Sequence, residues 1–545
     1  MNAAGVPQRS ATGIVAVAGV LVLAFAVRAW RLGWGLEHGL SFPDELAFWK
    51  TYLFAFASPG WSSLFGHSLF YPTLYGYASG VAVVFARAVG WIPPGEDLHA
   101  ALLVARSVSV AASVATVAVV GVTAASAYGR TVGVIAAALM ASIPIEAMQT
   151  HYASCDSLLG TTVALLLLAG CAFTRRRTTP RAALCGACVG LAFATKYNAL
   201  AFAAVPAWVV LEVALAERSA KRVVTLALAA LGGFVLATVV ACPPWIFETD
   251  RVVGQMRWVN FMSTGGDWRP ANAHLSPDVG WRGSPYLYRL VASLPFALGW
   301  PLALVAVAGV GFAVVRRAPA DRVLLVGVAA YVVLLGQTSV SFTRYLVPLL
   351  PALAILAARA LAALPVQGGV RAAIALAIVG YGFALGFSQV ARFSYDQQIA
   401  VARWIRDTFP RESWPDLGVV VPAQPARYFQ LEEPLARVGI AQRTAKPGQW
   451  LEGAPEVFVL PEWYATSVRR DRARAAQRPD LDRLESGAAG YVEAARWSSR
   501  YLQQELYTRL DPAFAVDLYT GAIGFRVYVR EDLLTRARAP GADPR

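Results

Sequence analysis

The chain has 545 residues, 57% of them hydrophobic and 15% charged, with a formal net charge of +14. Soluble proteins carry about 25% charge, so an ordinary water-soluble enzyme is excluded, and so much apolar content at so low a charge density excludes a disordered chain as well.

A helix needs ~20 apolar residues to cross the hydrocarbon core of a bilayer. Taken in chain order, runs of that kind predict spans over 12–33, 101–126, 131–149, 158–174, 182–196, 198–215, 223–242, 291–315, 323–340, 346–364 and 372–391. Residues 182–215 read equally as two short spans or one long broken one. The first apolar run is long enough to stay in place as a span, and no signal-peptide cleavage pattern follows it. After residue 391 the character changes. Residues 1–391 hold 26 Lys and Arg against 14 Asp and Glu, whereas residues 392–545 hold 22 against 20. The expected architecture is therefore a polytopic α-helical membrane domain over 1–391 and a soluble C-terminal α/β domain over 392–545. In the tail, helices are predicted over 395–408 and 466–486 and strands over 417–421, 456–460 and 524–529.

Residues 71–91 decide the topology. Counted as a span, they reverse the side of everything after them. Laid along the interface, with the N-terminus inside, they leave the inner loops with Arg130, Arg175, Arg176, Arg177, Arg181, Arg218, Lys221, Arg222, Arg316, Arg317, Arg322 and Arg371. Only Glu217 and Asp321 are acidic there. The outer loops then receive Glu37, Asp44, Glu45, Glu96, Asp97, Asp156, Glu248, Asp250, Asp267 and Asp278. Lys and Arg collect on the cytoplasmic side, so this parity predicts eleven spans, a cytoplasmic N-terminus, outer loops at 34–100 and 243–290, and an extracytoplasmic tail. The basic excess is explained by the membrane and calls for no nucleic-acid partner. Cys155, Cys171, Cys185, Cys188 and Cys242 fall in or near apolar runs and read as small packing residues.

Ionisable residues at membrane depth are costly and mark functional sites by default. Asp44 and Glu45 follow Ser41-Phe42-Pro43 just outside the first span, where Asp44 also fits a helix cap. His151-Tyr152-Ala153-Ser154-Cys155-Asp156 forms a short outer loop, where Asp156 also fits a cap. Two carboxylates meeting at one outer cavity could orient an acceptor, hold a cation or serve as a general base. Lys196 lies inside an apolar stretch, where it either snorkels to an interface or binds phosphate. Arg344 sits on the outer edge before Pro348 and Pro351; a guanidinium fork suits phosphate, and an interfacial anchor is the plainer reading. Arg106 is a weaker case of the same kind. His67, Tyr71, Tyr75 and Tyr77 line the interfacial segment, and His151 and Tyr345 join them as candidate cavity residues. A divalent metal is open as a cofactor, with Glu45, Asp156 and His274 as candidate ligands, although no HExxH or tight His/Cys cluster supports one. There is no phosphate loop, dinucleotide fingerprint or GxSxG elbow. Any activated donor must therefore arrive already activated, as a lipid phosphate would.

The order of these motifs resembles the GT-C superfamily of polyprenyl-phosphate-sugar-dependent glycosyltransferases, in the family 39-type branch of protein O-mannosyltransferases and the lipid A aminoarabinose transferase. The resemblance covers roughly residues 12–391. It rests on Pro43-Asp44-Glu45, Tyr71-Pro72-Thr73-Leu74, His151 to Asp156, Ala194-Thr195-Lys196-Tyr197, Pro243-Pro244-Trp245, and Arg344-Tyr345 followed by Pro348 and Pro351. Tyr71-Pro72 departs from the His-Pro-Pro-Leu-like run of relatives. The resemblance implies a GT-C-like fold in a bacterial inner membrane, with a polyprenyl-phosphate-linked sugar as donor and a hydroxyl on a protein, lipid or glycan as acceptor. It implies Asp44 as general base with Glu45 beside it, Asp156 as the acidic residue of the second loop, and Arg344 and Lys196 as ligands of the lipid phosphate. A secondary transporter or lipid flippase would also place Asp, Lys and Arg at membrane depth. Transporters, however, often carry repeated halves, and none is visible here. A non-catalytic sensor would need no acidic and basic residues on one cavity.

Overall fold

The computed structural model describes residues 11–36, 45, 71–92, 98–264, 284–338, 342–391, 393, 397–422, 431–470, 472–498 and 524–537. The chain forms two compact units. One comprises Met1–Leu32, Ala47–Arg269 and Gly280–Val390; the other comprises Gly33–Leu46, Pro270–Val279 and Ala391–Arg545.

The first unit is helical. Its elements include α1 (Ala11–Ala29), α2 (Leu74–Ala88), α3 (Leu98–Tyr128), α4 (Arg130–Ala141), α5 (Pro144–Gln149), α6 (Asp156–Arg175), α7 (Thr179–Thr195), α8 (Ala204–Glu217), α9 (Ala220–Ala241), α10 (Trp300–Arg316), α11 (Pro319–Gly336), α12 (Leu350–Ala362) and α13 (Gly368–Ala391), with further helices at Pro244–Phe247, Thr249–Thr264, Pro285–Tyr288 and Leu294–Leu298. Short 3-10 turns at Tyr197–Ala203 and Thr343–Leu349 lead into α8 and α12. Among the described residues, seven helices are long and apolar enough to cross a membrane, with α1, α4 and α10 as shorter apolar helices. The chain is thus a polytopic helical membrane protein.

Prolines and one glycine break the predicted spans. The run 131–149 divides into α4 and α5 because Pro144 opens a new helix and forces Ile143 into an extended conformation. The run 291–315 is interrupted at Gly299, whose φ of 78° is a conformation that Gly adopts without a Cβ penalty. Residues 182–215 form two helical segments, because Lys196 is extended at φ −157°, ψ 129°.

Buried polar groups tie the helices together. Arg28 on α1 donates to Ser113 Oγ at 2.8 Å and to the Ala141 carbonyl at 2.9 Å, and Ser113 donates on to Glu146 Oε2 at 2.7 Å. Glu212 accepts from Trp208 Nε1 at 2.8 Å and pairs with Arg177 at 3.2 Å and Arg322 at 3.0 Å. Asp321 accepts from Tyr128 at 2.7 Å and pairs with Arg359. Arg28 and Glu146 are fully buried, and within a bilayer such groups have no water to turn to, so they find partners inside the protein. All five cysteines are free and buried.

Helices α7 and α9 run parallel, with their backbones almost touching. A Cβ at Gly186 would collide with the Ala230 carbonyl, and one at Gly233 with the Ala183 carbonyl. Small residues let membrane helices approach this closely. Gly186→Val should therefore lower the thermal midpoint of the detergent-purified protein sharply, because overpacking costs ~1–3 kcal/mol or more. An unchanged midpoint would refute the close packing.

The second unit contains a mixed five-stranded sheet. Its strands are β1 (Val419–Pro422), β2 (Gln442–Ala445), β3 (Val457–Pro461), β4 (Tyr491–Trp497) and β5 (Phe525–Arg530), in the order β2-β1-β3-β5-β4. β1 pairs in parallel with β2 and β3, whereas β5 pairs antiparallel with β3 and β4. Apolar layers cover both faces, one including Val401, Ile405, Val419 and Val527, the other Trp450, Phe458, Leu481 and Tyr528. The three central strands match the predicted ones because residues buried on both faces read as short apolar runs. The edge strands β2 and β4 are half exposed and carry no such signal. The predicted helix 466–486 is instead three pieces, Glu462–Arg470, Arg472–Gln477 and Arg478–Glu485, with Pro479 at the start of the last. Proline fixes φ and is tolerated only in a helix's first turn.

Candidate active site

The segment before α2, the start of α6, the end of α7 and the turn before α12 come together in the first unit. Asp156 is the first residue of α6 and is buried. It does not cap the helix: the N-cap position belongs to Cys155, which makes no side-chain cap bond. Its carboxylate instead accepts from Lys196 Nζ at 2.7 Å, with the two side chains only 5% and 10% exposed. The reason lies in the backbone. Helix α7 ends at Thr195, and the extended Lys196 directs its side chain across to α6. Lys196 is therefore an internal cation and does not snorkel.

Aromatic faces enclose the ammonium. Its Nζ lies 4.9 Å from the centroid of Tyr345 and 5.7 Å from that of Tyr71, within reach of a cation–π attraction. Arg344, in the 3-10 turn before α12, is also buried and lays its guanidinium 4.3 Å over Phe342. Its charge lies within electrostatic range of Lys196. A third cation, Arg289, is buried as well; it donates to Thr338 Oγ1 at 2.7 Å and lies within electrostatic range of Tyr345. Tyr331 accepts from Asn198 Nδ2 at 2.8 Å and stacks on Phe202 at 5.1 Å, and the Asp156 charge reaches it. Lys196 thus pairs with Asp156, Arg344 lies within range of Lys196, and Arg289 lies within range of Tyr345.

The other candidates have different surroundings. Tyr75 is buried against Cys155, with its hydroxyl 2.9 Å from both the Ala105 carbonyl and Ser109 Oγ; Ser109 in turn donates to the Tyr152 carbonyl at 2.9 Å. This shell fixes the loop that presents Asp156. His151 has its ring nitrogens 2.9 Å from the Ala147 carbonyl and 2.6 Å from the Trp30 carbonyl, so it braces α1 against the loop. Arg106 Nη1 donates to the Leu32 carbonyl at 2.9 Å and likewise braces the end of α1. Glu45 is buried and belongs to the second unit. Asp44, His67 and His274 lie outside the described residues.

Among the described residues no group of three His, Cys, Asp or Glu could hold a metal ion. Asp156, an expected ligand, is engaged by an ammonium, and a dication there would face Lys196 and Arg344.

Sequence reasoning passes over Arg289, Tyr331 and Asn198, because Arg289 precedes the predicted span and Tyr331 and Asn198 are uncharged. It also passes over Arg28, Glu146 and Glu212. The rule that singles out Lys196, an ionisable group in an apolar run, would have found these three.

The family model of dolichyl-phosphate-mannose-protein mannosyltransferases matches residues 98–247. No curated protein matches the chain. Among solved structures, the chain is similar to ArnT from Cupriavidus metallidurans bound to undecaprenyl phosphate, at 16% identity and a TM-score of 0.49, covering 84% of this chain and 95% of that one. It is also similar to the Archaeoglobus fulgidus oligosaccharyltransferase AglB in complex with an inhibitory peptide and a dolichol-phosphate, at 13% identity and a TM-score of 0.45, covering 87% and 72%.

Proposed function

We propose that this chain, whose residues 98–247 match the dolichyl-phosphate-mannose-protein mannosyltransferase family model, is a lipid-phosphate-sugar-dependent glycosyltransferase. The donor is a sugar linked through phosphate to a polyprenol at the outer face of a cell membrane. Eleven spans, a cytoplasmic N-terminus and an extracytoplasmic tail follow from the placement of Lys and Arg.

The observation that carries the reading is the buried Asp156–Lys196 pair, with Arg344 within electrostatic range. The matched stretch contains both members of the pair. In the proposed step, an acceptor hydroxyl on a protein, lipid or glycan gives its proton to Asp44 and attacks the anomeric carbon. The bond from that carbon to the phosphate oxygen breaks, the configuration inverts, and polyprenyl phosphate leaves. Arg344, Lys196 and Arg289 stabilise the negative charge that develops on the phosphate, which is worth most in a site fixed in advance and shielded from water. Asp156 holds Lys196 in place. Tyr71 and Tyr345 shape the cation's surroundings. The assignment of Asp44 rests on its place in the motif order.

Purified protein in lipid, mixed with a panel of radiolabelled polyprenyl-phosphate sugars and cell-envelope extract, should move label from one donor to an acceptor. Arg344→Gln should raise the donor KM roughly tenfold or more, since a hydrogen bond to a charged group contributes ~1.5–3 kcal/mol. A folded protein that consumes none of the donors would overturn the proposal.

A further inference from the structure

At the far end of α7 from Lys196, about 25 Å away at 1.5 Å per residue, a separate groove opens. It has a volume of about 590 Å³ and is lined by Arg177, Thr178, Thr179, Ser219, Lys221 and Arg222, with Pro180, Thr225 and Leu226 completing the wall. Because α7 and α9 are parallel, both begin here, at Thr179 and Ala220. Their first N–H groups carry partial positive charge. Carboxylates hold two of the cations at the rim: Arg177 pairs with Glu212 at 3.2 Å and Arg222 with Glu217 at 2.8 Å. Arg222 also donates to the Arg177 carbonyl at 2.9 Å, joining the two loops. Lys221 is exposed and makes no ion pair among the described residues.

An apolar track starts at the same point. Val224, Leu228, Leu231 and Val235 are each about half exposed or more, and their spacing places them on one stripe of α9. Of the 22 residues of α9, only Leu226, Ala230, Thr238 and Ala241 are buried within the protein.

We infer that this groove binds the headgroup of an anionic phospholipid, with an acyl chain lying along the α9 stripe. Free phosphate would use the basic rim but leave the stripe without a role, whereas a phospholipid uses both. Basic pockets between membrane helices recognise anionic headgroups in this way. The site is separate from the cluster around Asp156 and does not depend on the reaction proposed there.

The test uses the full-length protein, delipidated in detergent, and native mass spectrometry. Dioleoyl phosphatidylglycerol and dioleoyl phosphatidylcholine are titrated separately, and then inorganic phosphate is added. Phosphatidylglycerol should be retained roughly tenfold more tightly, and millimolar phosphate should not displace it. Lys221→Gln/Arg222→Gln should remove the preference. Lys221→Gln alone, which disturbs no ion pair among the described residues, should weaken it severalfold at an unchanged thermal midpoint. Equal retention of the two lipids, a preference untouched by Lys221→Gln, or displacement by phosphate would each overturn the inference.

Discussion

Asp44→Asn is expected to abolish sugar transfer while the purified protein keeps its wild-type thermal midpoint. An amide has nearly the volume of a carboxylate but cannot accept the acceptor's proton. A positioned general base contributes ~10²–10⁴-fold, so residual transfer should fall by at least the lower figure. Donor binding should survive, because the phosphate ligands proposed here are Arg344, Lys196 and Arg289. The measurement is therefore paired, with turnover by label transfer and donor affinity by direct binding. Loss of turnover with retained binding supports the base. Normal transfer by a folded Asp44→Asn protein would remove Asp44 from the mechanism.

The second large effect concerns Lys196. Lys196→Met leaves the Asp156 carboxylate without the ammonium 2.7 Å away in a site where both side chains are almost fully enclosed. Removing one partner of a buried pair costs ~3–5 kcal/mol, because the remaining charge stays desolvated. The thermal midpoint should fall by several degrees or more. Adding Asp156→Leu to Lys196→Met should recover most of that stability, since replacing both members of such a pair with apolar groups is often neutral. Transfer should not recover in the double variant, because the phosphate ligand is still missing. That split between stability and turnover separates a structural pair from a catalytic one. Equal stability of the single and double variants would show that the pair is not coupled, and active transfer by the double variant would show that the phosphate is held elsewhere.

Much of the site was legible in the sequence, for a reason particular to membranes. Lys196 and Asp156 stand out because a charge next to an apolar run needs a reason to be there. The sequence could not say that they are partners. Forty positions separate them, and their meeting depends on α7 ending at Thr195 with Lys196 extended. The same limit applies to Tyr71 and Tyr345, which flank one ammonium from opposite ends of the domain. Arg289 was hidden because the residues after it begin an apparently ordinary span, which the structure interrupts at Gly299. His151 and Arg106 were visible as unusual residues, but only the structure shows their bonds to carbonyls of the segment 30–32.

The sequence by itself determined that this is a polytopic helical membrane protein with a polar α/β tail. Those properties follow from hydropathy and charge, which add along the chain and need no knowledge of contacts. It also located the central strands of the tail, where burial on both faces writes itself into composition. Only the tertiary structure decided which charges pair, which helices break and which edge strands complete the sheet. Each of these is settled by a partner distant in the chain. A carboxylate finds an ammonium forty residues away, a glycine admits a neighbouring backbone, and a half-exposed strand is held by its neighbour's hydrogen bonds.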